Sequence, residues 1–202
     1  MKVIDVINLS GKLLNEIDIK SCIDYCIKNQ FTVEQLLESQ ETLDFVNEQS
    51  IKDLRLILDS INITLTKIAT ENFPTLVEES IIVENNKFSI DNLSQKLFKI
   101  KEITCSGVRQ KFSVQNGFIM LPNGSYTIKY AFLPTELTFD DEVNLYNGKL
   151  SILTLSYGAC AYFALIKGIY NESEMWNEKF EFSLQKNFAR LTGVNIKKRR
   201  WL

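Results

Sequence analysis

The acidic run Asp140-Asp141-Glu142 is the densest group of side chains in this sequence that could do chemistry. Neighbouring carboxylates can bind a hard cation through their oxygens, or exchange protons with a substrate. The run lacks the alternating ligand spacing and the following glycine of a calcium loop, and it comes shortly after the proline turn at Pro134. We therefore predict a solvated turn. An enzyme that uses carboxylates around Asp140 is the weakest of three functional hypotheses.

The chain contains no histidine, which excludes Ser-His-Asp and Cys-His arrangements and histidine metal sites. Its cysteines lie in apolar settings and are expected to be reduced thiols packed as small hydrophobic residues: Cys22, Cys26, Cys105 and Cys160. Cys22 and Cys26 could share a helical face, but a zinc site needs about four ligands. No glycine-rich phosphate loop is present. The sequence thus predicts no catalytic, cofactor-binding or metal-binding residues.

A basic tail ends the sequence, and its last part is the docking segment, which consists of Ile196, Lys197, Lys198, Arg199, Arg200, Trp201 and Leu202. The formal net charge of the whole chain is −2, so the body that precedes this segment is acidic. The segment is too short and too charged to form core, yet a solvated terminus has no need of Trp201. We predict that it docks on an acidic protein surface or on DNA, and a merely solvated terminus is the open alternative.

The elements that would position these groups fall into four stretches of a single predicted domain over residues 1–202. Helices are predicted over 1–72, strands over 73–147, a helical hairpin over 148–192 and the basic tail over 193–202. The predicted fold class is α+β, with an antiparallel sheet in the middle and the two C-terminal helices packed against the N-terminal helices.

In the first stretch, Ser50 followed by Asp53 is an acidic variant of the capping box. It precedes apolar residues at steps of three and four, which predict one amphipathic helix: Ile51, Leu54, Leu58, Ile61, Leu65 and Ile68. Further helices are predicted over 3–14, 19–27 and 32–46. Phe73-Pro74 ends the helical stretch, because the residue before proline favours extended geometry.

Short segments rich in β-branched and aromatic residues follow, over 76–84, 87–90, 97–105, 109–114, 118–121 and 125–132. Turn dipeptides separate most of them, and Asn116-Gly117 and Asn123-Gly124 are strong hairpin signals. We predict an antiparallel meander of about five or six strands.

The segment over 150–167 is apolar nearly all round, and small residues such as Gly158 permit close approach, so this helix is predicted to be central. Gly168 is placed to cap it. Asn171 with Glu174 is predicted to start the last helix, whose apolar stripe is Trp176, Phe180, Leu184, Phe188 and Leu191. Trp176 is predicted to be core rather than a stacking platform for bases.

Taken in order, these features resemble the head-to-tail adaptor proteins of tailed bacteriophages, also called connector, neck or tail tubular proteins. The matching segments are Gly124-Ser-Tyr-Thr-Ile-Lys-Tyr-Ala-Phe-Leu-Pro134, Asp140-Asp-Glu-Val143, Tyr157-Gly-Ala-Cys-Ala-Tyr-Phe-Ala164 and Glu174-Met-Trp-Asn-Glu-Lys-Phe180. The resemblance covers the C-terminal part of the chain, and the earlier helices and sheet match in architecture only.

The resemblance implies a structural virion protein that is not an enzyme and needs no cofactor. Such proteins form a ring of identical subunits, commonly a dodecamer, beneath the portal protein after DNA packaging. The ring connects the capsid to the tail, extends the channel through which packaged DNA passes, and binds further neck and tail proteins. The implied location is the neck of the virion, and the host cytoplasm during assembly. The segment after Leu191 would reach into or along the portal.

We expect no membrane contact, because no apolar run reaches the roughly 18 residues that a span requires. The first residues include Asp5 within an apolar stretch, unlike a signal peptide, so a cytoplasmic location before assembly is expected. The main rival function is a small nucleic-acid-binding protein that uses the docking segment. Local charge favours this rival, and the acidic remainder of the chain opposes it.

Overall fold

The computed structural model describes residues 1–15, 17–29, 35, 48–144, 146 and 150–189. It confirms the mixed α+β class, with N-terminal helices, antiparallel sheets in the middle and two C-terminal helices. Most of the predicted helix over 32–46 and the whole basic tail over 193–202 lie outside the described residues.

The described helices are α1 (Val3–Leu14), α2 (Ile17–Asn29), α3 (Glu48–Lys67), α4 (Ile152–Ile166) and α5 (Tyr170–Ala189). A π-helical turn (Ile68–Asn72) continues α3, and it ends directly before Phe73-Pro74 as predicted. The strands are β1 (Leu76–Val83), β2 (Lys87–Ser89), β3 (Leu97–Cys105), β4 (Val108–Arg109), β5 (Ser113–Gln115), β6 (Phe118–Met120) and β7 (Gly124–Phe132).

The chain divides into two compact units, and the second is inserted in the sequence of the first. The first unit comprises residues 1–64 and 137–202, and the second comprises residues 65–136. Within the first unit, Asn62 forms two hydrogen bonds with the backbone of Leu137, at 2.9 Å to its N–H and 3.1 Å to its carbonyl. The chain is thus fixed where it re-enters this unit. The sequence prediction of a single domain stays a prediction.

Helix α4 packs against both α1 and α5 within the first unit. Ser156 Oγ donates to the carbonyl of Val6 at 3.3 Å, and the Cys160 thiol donates to the carbonyl of Ser10 at 3.8 Å. The packing of a C-terminal helix against an N-terminal helix therefore follows the prediction. Most of the central residues of α4 are buried: Thr154, Leu155, Ser156, Gly158, Ala159, Cys160, Ala161, Phe163 and Ala164.

Two predicted helix N-caps, Ser50 and Asn171, are wrong. Helix α3 extends back to Glu48, so Ser50 and Asp53 lie inside it, and Asp53 forms a salt bridge with Lys167 instead of capping the helix. Helix α5 starts at Tyr170, before Asn171. The cause of the second error is the end of α4, where Ile169 N–H donates to the carbonyl of Ala164 at 2.8 Å and the chain enters the next helix at once.

The predicted cap of α4 is confirmed in its geometry, since Gly168 adopts a φ of 78°. Glycine takes this left-handed conformation without the steric cost that a Cβ imposes. The helix itself begins two residues later than predicted because Ser151 is its N-cap, where Ser151 Oγ accepts from Thr154 N–H at 3.1 Å.

The second unit contains two antiparallel sheets, with strand orders β1-β7-β3-β4 and β2-β6-β5. The predicted hairpin at Asn116-Gly117 is confirmed, because Gln115 pairs with Phe118 across a two-residue turn. The core of this unit is formed by buried residues that include Ile81, Val83, Ile103, Ile119, Tyr126, Ile128 and Tyr130.

The strands do not form a sequential meander. The predicted strand over 109–114 is divided between β4 and β5, which belong to different sheets. The predicted hairpin at Asn123-Gly124 is also wrong, because β6 and β7 lie in different sheets. Pro122 precedes that dipeptide and has no N–H for a ladder bond, which favours a break between the strands. Strand β7 pairs instead with β1 and β3, over most of its length.

Candidate functional site

The acidic run Asp140-Asp141-Glu142 is part of a hydrogen-bonded turn. Both the N–H and the hydroxyl of Thr138 donate to Asp141 Oδ2, at 2.7 and 2.9 Å. The backbone of the same turn pairs with the start of the chain. Val3 N–H donates to the backbone carbonyl of Asp141 at 3.0 Å, and Val143 N–H donates to the backbone carbonyl of Met1 at 2.7 Å. The run therefore connects the segment before α4 to the segment before α1.

The electrostatics of this turn fit a structural role. The hydrogen bonds from the backbone and then the side chain of Thr138 lower the pKa of Asp141, because they stabilise its carboxylate form. Asp140 and Glu142 are exposed. Among the residues that the structure describes, no group of three or more acidic or cysteine side chains could hold a metal ion. The acidic run thus forms a turn that is closed by the carboxylate of Asp141, while Asp140 and Glu142 are exposed.

Trp176 is buried in the first unit, as predicted, with 7% of its surface exposed. Its ring stacks on Tyr157 at a centroid distance of 5.8 Å, and Lys179 Nζ lies 4.1 Å from its centroid. The neighbouring Cys160 is fully buried, and burial raises the pKa of its thiol to about 12. A thiol with this pKa is a poor nucleophile near neutral pH, because almost none of it is thiolate. This cluster therefore stabilises the packing of α4 and α5.

An apolar surface lies at the turn between α4 and α5. We call it the hairpin patch, and it consists of Leu165, Ile166, Ile169 and Tyr170. Their exposed fractions are 45%, 52%, 44% and 69%, which is high for large apolar side chains in one short stretch. This surface was not predicted from the sequence, because the apolar character of the whole helix indicated a central position. The missed signal is that apolar residues continue beyond Gly168 into the turn, where Ile169 and Tyr170 follow.

A shallow groove of about 330 Å³ adjoins the hairpin patch. Its walls come from α4 and α5, with Ala161, Tyr162 and Leu165 on one side and Tyr170, Ser173, Glu174 and Asn177 on the other. Ser173 Oγ donates to the carbonyl of Ala161 at 2.9 Å, so the two walls are joined at the base. Glu174 is the only acidic group among these lining residues. This lining suits an apolar side chain of a partner better than a chemical reaction.

A second cavity, of about 480 Å³, lies in the inserted unit. It is lined by Thr66, Lys96, Leu133, Pro134, Thr135 and Glu136, and so includes the proline of the segment on which the resemblance rests. Its lining includes one base and one acid, without a cysteine or a second carboxylate. We assign it no chemistry.

The sequence-predicted docking segment, Ile196 to Leu202, lies outside the described residues. Within the described residues, the candidate binding surfaces are the hairpin patch, the adjoining groove and the edges of the four-stranded sheet in the inserted unit. No described helix has both the length and the apolar character required to cross a membrane. No protein-family model matches this chain, and no curated protein matches it.

Proposed function

We propose that this chain is a structural protein of the neck of a tailed bacteriophage. It forms a ring beneath the portal protein, connects the capsid to the tail and extends the channel for packaged DNA. Its partners are further copies of itself, the portal protein, and further neck and tail proteins. It is made in the host cytoplasm and acts in the virion, without enzymatic activity.

The observation that carries the proposal is the hairpin patch. Monomeric proteins rarely expose large contiguous apolar surfaces, and those that do commonly use them to bind other proteins. Leu165, Ile166, Ile169 and Tyr170 lie between two segments of the adaptor resemblance, of which the first ends at Ala164 and the second begins at Glu174. An apolar surface at this point suits a protein that functions inside an assembly.

The chemistry of the described residues supports the same proposal. Asp141 is engaged by Thr138, and Cys160 is buried with a raised pKa. The thiol of Cys160 is therefore mostly protonated near neutral pH, and one carboxylate oxygen of Asp141 is occupied in closing the turn. A binding role accounts for the exposed apolar surface. An enzyme that uses carboxylates around Asp140 would need a second carboxylate beside it, and the adjacent Asp141 is instead hydrogen-bonded to Thr138.

The first test is electron microscopy of the purified chain, alone and together with the portal protein of the same phage. We expect closed rings with a central channel, and rings attached to the portal in the mixture. Duplex DNA is titrated over a series of salt concentrations in parallel. Tight, steeply salt-dependent DNA binding by a monomer, without rings or portal complexes, contradicts the proposal and favours the nucleic-acid-binding rival.

The second test uses a matched pair of variants. Ile166→Ser removes an apolar side chain from the hairpin patch, whereas Glu178→Ser changes an exposed polar position of α5. We expect only Ile166→Ser to weaken association with the neck partners, by roughly tenfold or more, because interface energy concentrates in apolar anchors. Equal association of both variants would remove the patch from the binding surface.

A further inference from the structure

The four-stranded sheet of the inserted unit has two different edges. Strand β1 forms one edge, and its ladder partner in the described chain is β7. At the other edge, β4 pairs with β3 at Thr104 and Cys105. The earlier part of β3, from Leu97, has its ladder partner on the β7 side. Open strand edges carry backbone groups that can pair with another chain.

The two edges carry opposite charges. The acidic edge is β1, where Glu78 is exposed and no lysine or arginine occurs over 76–84. Glu84 follows β1 and is also exposed, but it pairs with Lys87 across the next turn, which leaves Glu78 as the exposed acid within β1 itself. The basic edge is β3 with its flanks, where the exposed cations are Lys96, Lys99, Lys101 and Arg109. Glu102 in this edge has an intermediate exposure and lies opposite Lys129 of β7 in the register.

Glu78 and Lys99 lie on the same face of the sheet. Glu78 pairs in register with Lys129, and Lys99 pairs with Ala131, two residues further along β7. Residues two apart in a strand point to one face. Glu78 Oε2 lies 3.9 Å from Lys129 Nζ, yet the Glu78 side chain keeps 60% of its surface exposed. It can therefore meet a further cation beyond the edge of the sheet.

Apolar residues are also exposed at both edges. Ile82 in β1 is 68% exposed and Leu76 is 46% exposed, while Phe98 in β3 is 42% exposed. β1 and β3 each run antiparallel to β7, so they run parallel to one another. A second copy related by rotation would thus bring its β3 alongside β1 as a parallel pair, with acidic and basic side chains facing each other.

We propose that the acidic edge of one copy binds the basic edge of the next copy. Residues near Glu78 then meet residues near Lys99, in a head-to-tail contact that repeats around a ring. This inference deepens the proposed function and rests on it for the occupant, a second copy of the same chain. Head-to-tail contacts use two different surfaces on each subunit, and they form rings when the rotation closes.

Charge reversal tests the contact in a way that few alternatives can mimic. Glu78→Lys makes the acidic edge basic, and Lys99→Glu makes the basic edge acidic, so each variant alone opposes like charges at its own contact. In an equimolar mixture, Lys at 78 of the first variant meets Glu at 99 of the second, and the other edges meet as in the wild type. The mixture therefore restores both contacts in an alternating assembly.

Sedimentation velocity at low ionic strength measures the outcome. We expect the wild type to form rings, each variant alone to associate roughly tenfold or more weakly, and the mixture to recover rings. Native mass spectrometry of the mixture should give equal numbers of the two variants. Asp140→Lys makes the same charge change at an exposed position outside the sheet, and we expect it to assemble like the wild type.

Two outcomes overturn the inference. One is a wild type that stays monomeric at every concentration, and the other is ring formation by both single variants at wild-type strength. In the second case the ring and the proposed function stand, and another surface forms the contact. If the mixture recovers rings that never bind a portal, the edge contact stands and the proposed function fails. If a charge reversal impairs folding, Glu78→Gln and Lys99→Gln replace it. We then expect the self-association of these variants to depend less on salt concentration than that of the wild type, and an unchanged salt dependence overturns the inference.

Discussion

Replacing Gly158 with alanine tests whether α4 is the close-packed centre of the first unit. A Cβ at this position would overlap Cγ2 of Thr64 and lie 3.0 Å from its Oγ1. It would also lie 3.1 Å from Cδ2 of Phe180. Helix α4 therefore lies closest to α3 and α5 at Gly158, which has no side chain.

The expected effect combines two opposed terms. Alanine in a helix interior is favoured over glycine by about 1 kcal/mol, because it loses less backbone entropy. Overpacking in a core costs about 1–3 kcal/mol. Thr64 is fully buried, and its hydroxyl donates to the carbonyl of Ser60 at 2.7 Å, so its side chain cannot rotate away without loss of that bond. The cost of overpacking therefore lies in the upper part of its range and exceeds the gain in helix propensity. We expect Gly158→Ala to lower the free energy of unfolding by about 1–2 kcal/mol.

Urea unfolding followed by circular dichroism measures the effect, and Thr64→Ser supplies the control. Serine keeps the hydroxyl but lacks Cγ2, the atom that the new Cβ would overlap. In the Thr64→Ser background, Gly158→Ala should be neutral or stabilising by up to about 1 kcal/mol, which gives a coupling of about 1–3 kcal/mol. If Gly158→Ala raises the stability of the wild type by about 1 kcal/mol, the close approach of α3 and α4 is refuted.

Three further predictions concern other parts of the chain. The raised pKa of Cys160 means that the unfolded chain ionises this thiol first, so stability should fall by up to about 1.4 kcal/mol per pH unit as the pH rises from about 9 to 12. Cys160→Ala should reduce this fall in urea titrations. Tyr130→Phe should lower the free energy of unfolding by about 1–3 kcal/mol, because the Tyr130 hydroxyl donates to Glu79 Oε1 at 2.9 Å and accepts from Gln95 N–H at 3.1 Å; an unchanged urea midpoint would refute this. Truncation after Val194 should change the free energy of unfolding by less than about 1 kcal/mol while weakening portal attachment. Truncated chains that bind portals normally would show that the docking segment is dispensable.

Local sequence signals predicted the helices better than their starts. Apolar spacing located α1, α3, α4 and α5, because each buries one stripe or more against its neighbours. The role of Asp53 could not be predicted in this way. Its partner Lys167 lies more than a hundred residues later, and a capping motif and an ion-pairing position have the same local sequence.

The sheets show the same limit more strongly. Two-residue turns at Ser106-Gly107 and Asn116-Gly117 could be predicted, because glycine at a φ of about 80° satisfies a local requirement of the turn. The position of β7 between β1 and β3 depends on pairing between distant segments. The candidate site was divided likewise. The docking segment is predicted from its composition and lies outside the described residues, whereas the hairpin patch required knowledge of which apolar residues the neighbouring helices leave exposed.

The described groups that most resemble reactive residues are already engaged in the fold. Asp141 closes its turn, Asp53 pairs with Lys167, and Glu79 accepts a hydrogen bond from Tyr130. Breaking any of these contacts would leave a polar group without its partner, so selection for stability alone can maintain them. The exposed apolar residues of the hairpin patch and the oppositely charged sheet edges bring no comparable benefit to an isolated chain. Because such surfaces favour unwanted association unless a partner covers them, their presence favours a protein whose function is to bind its neighbours.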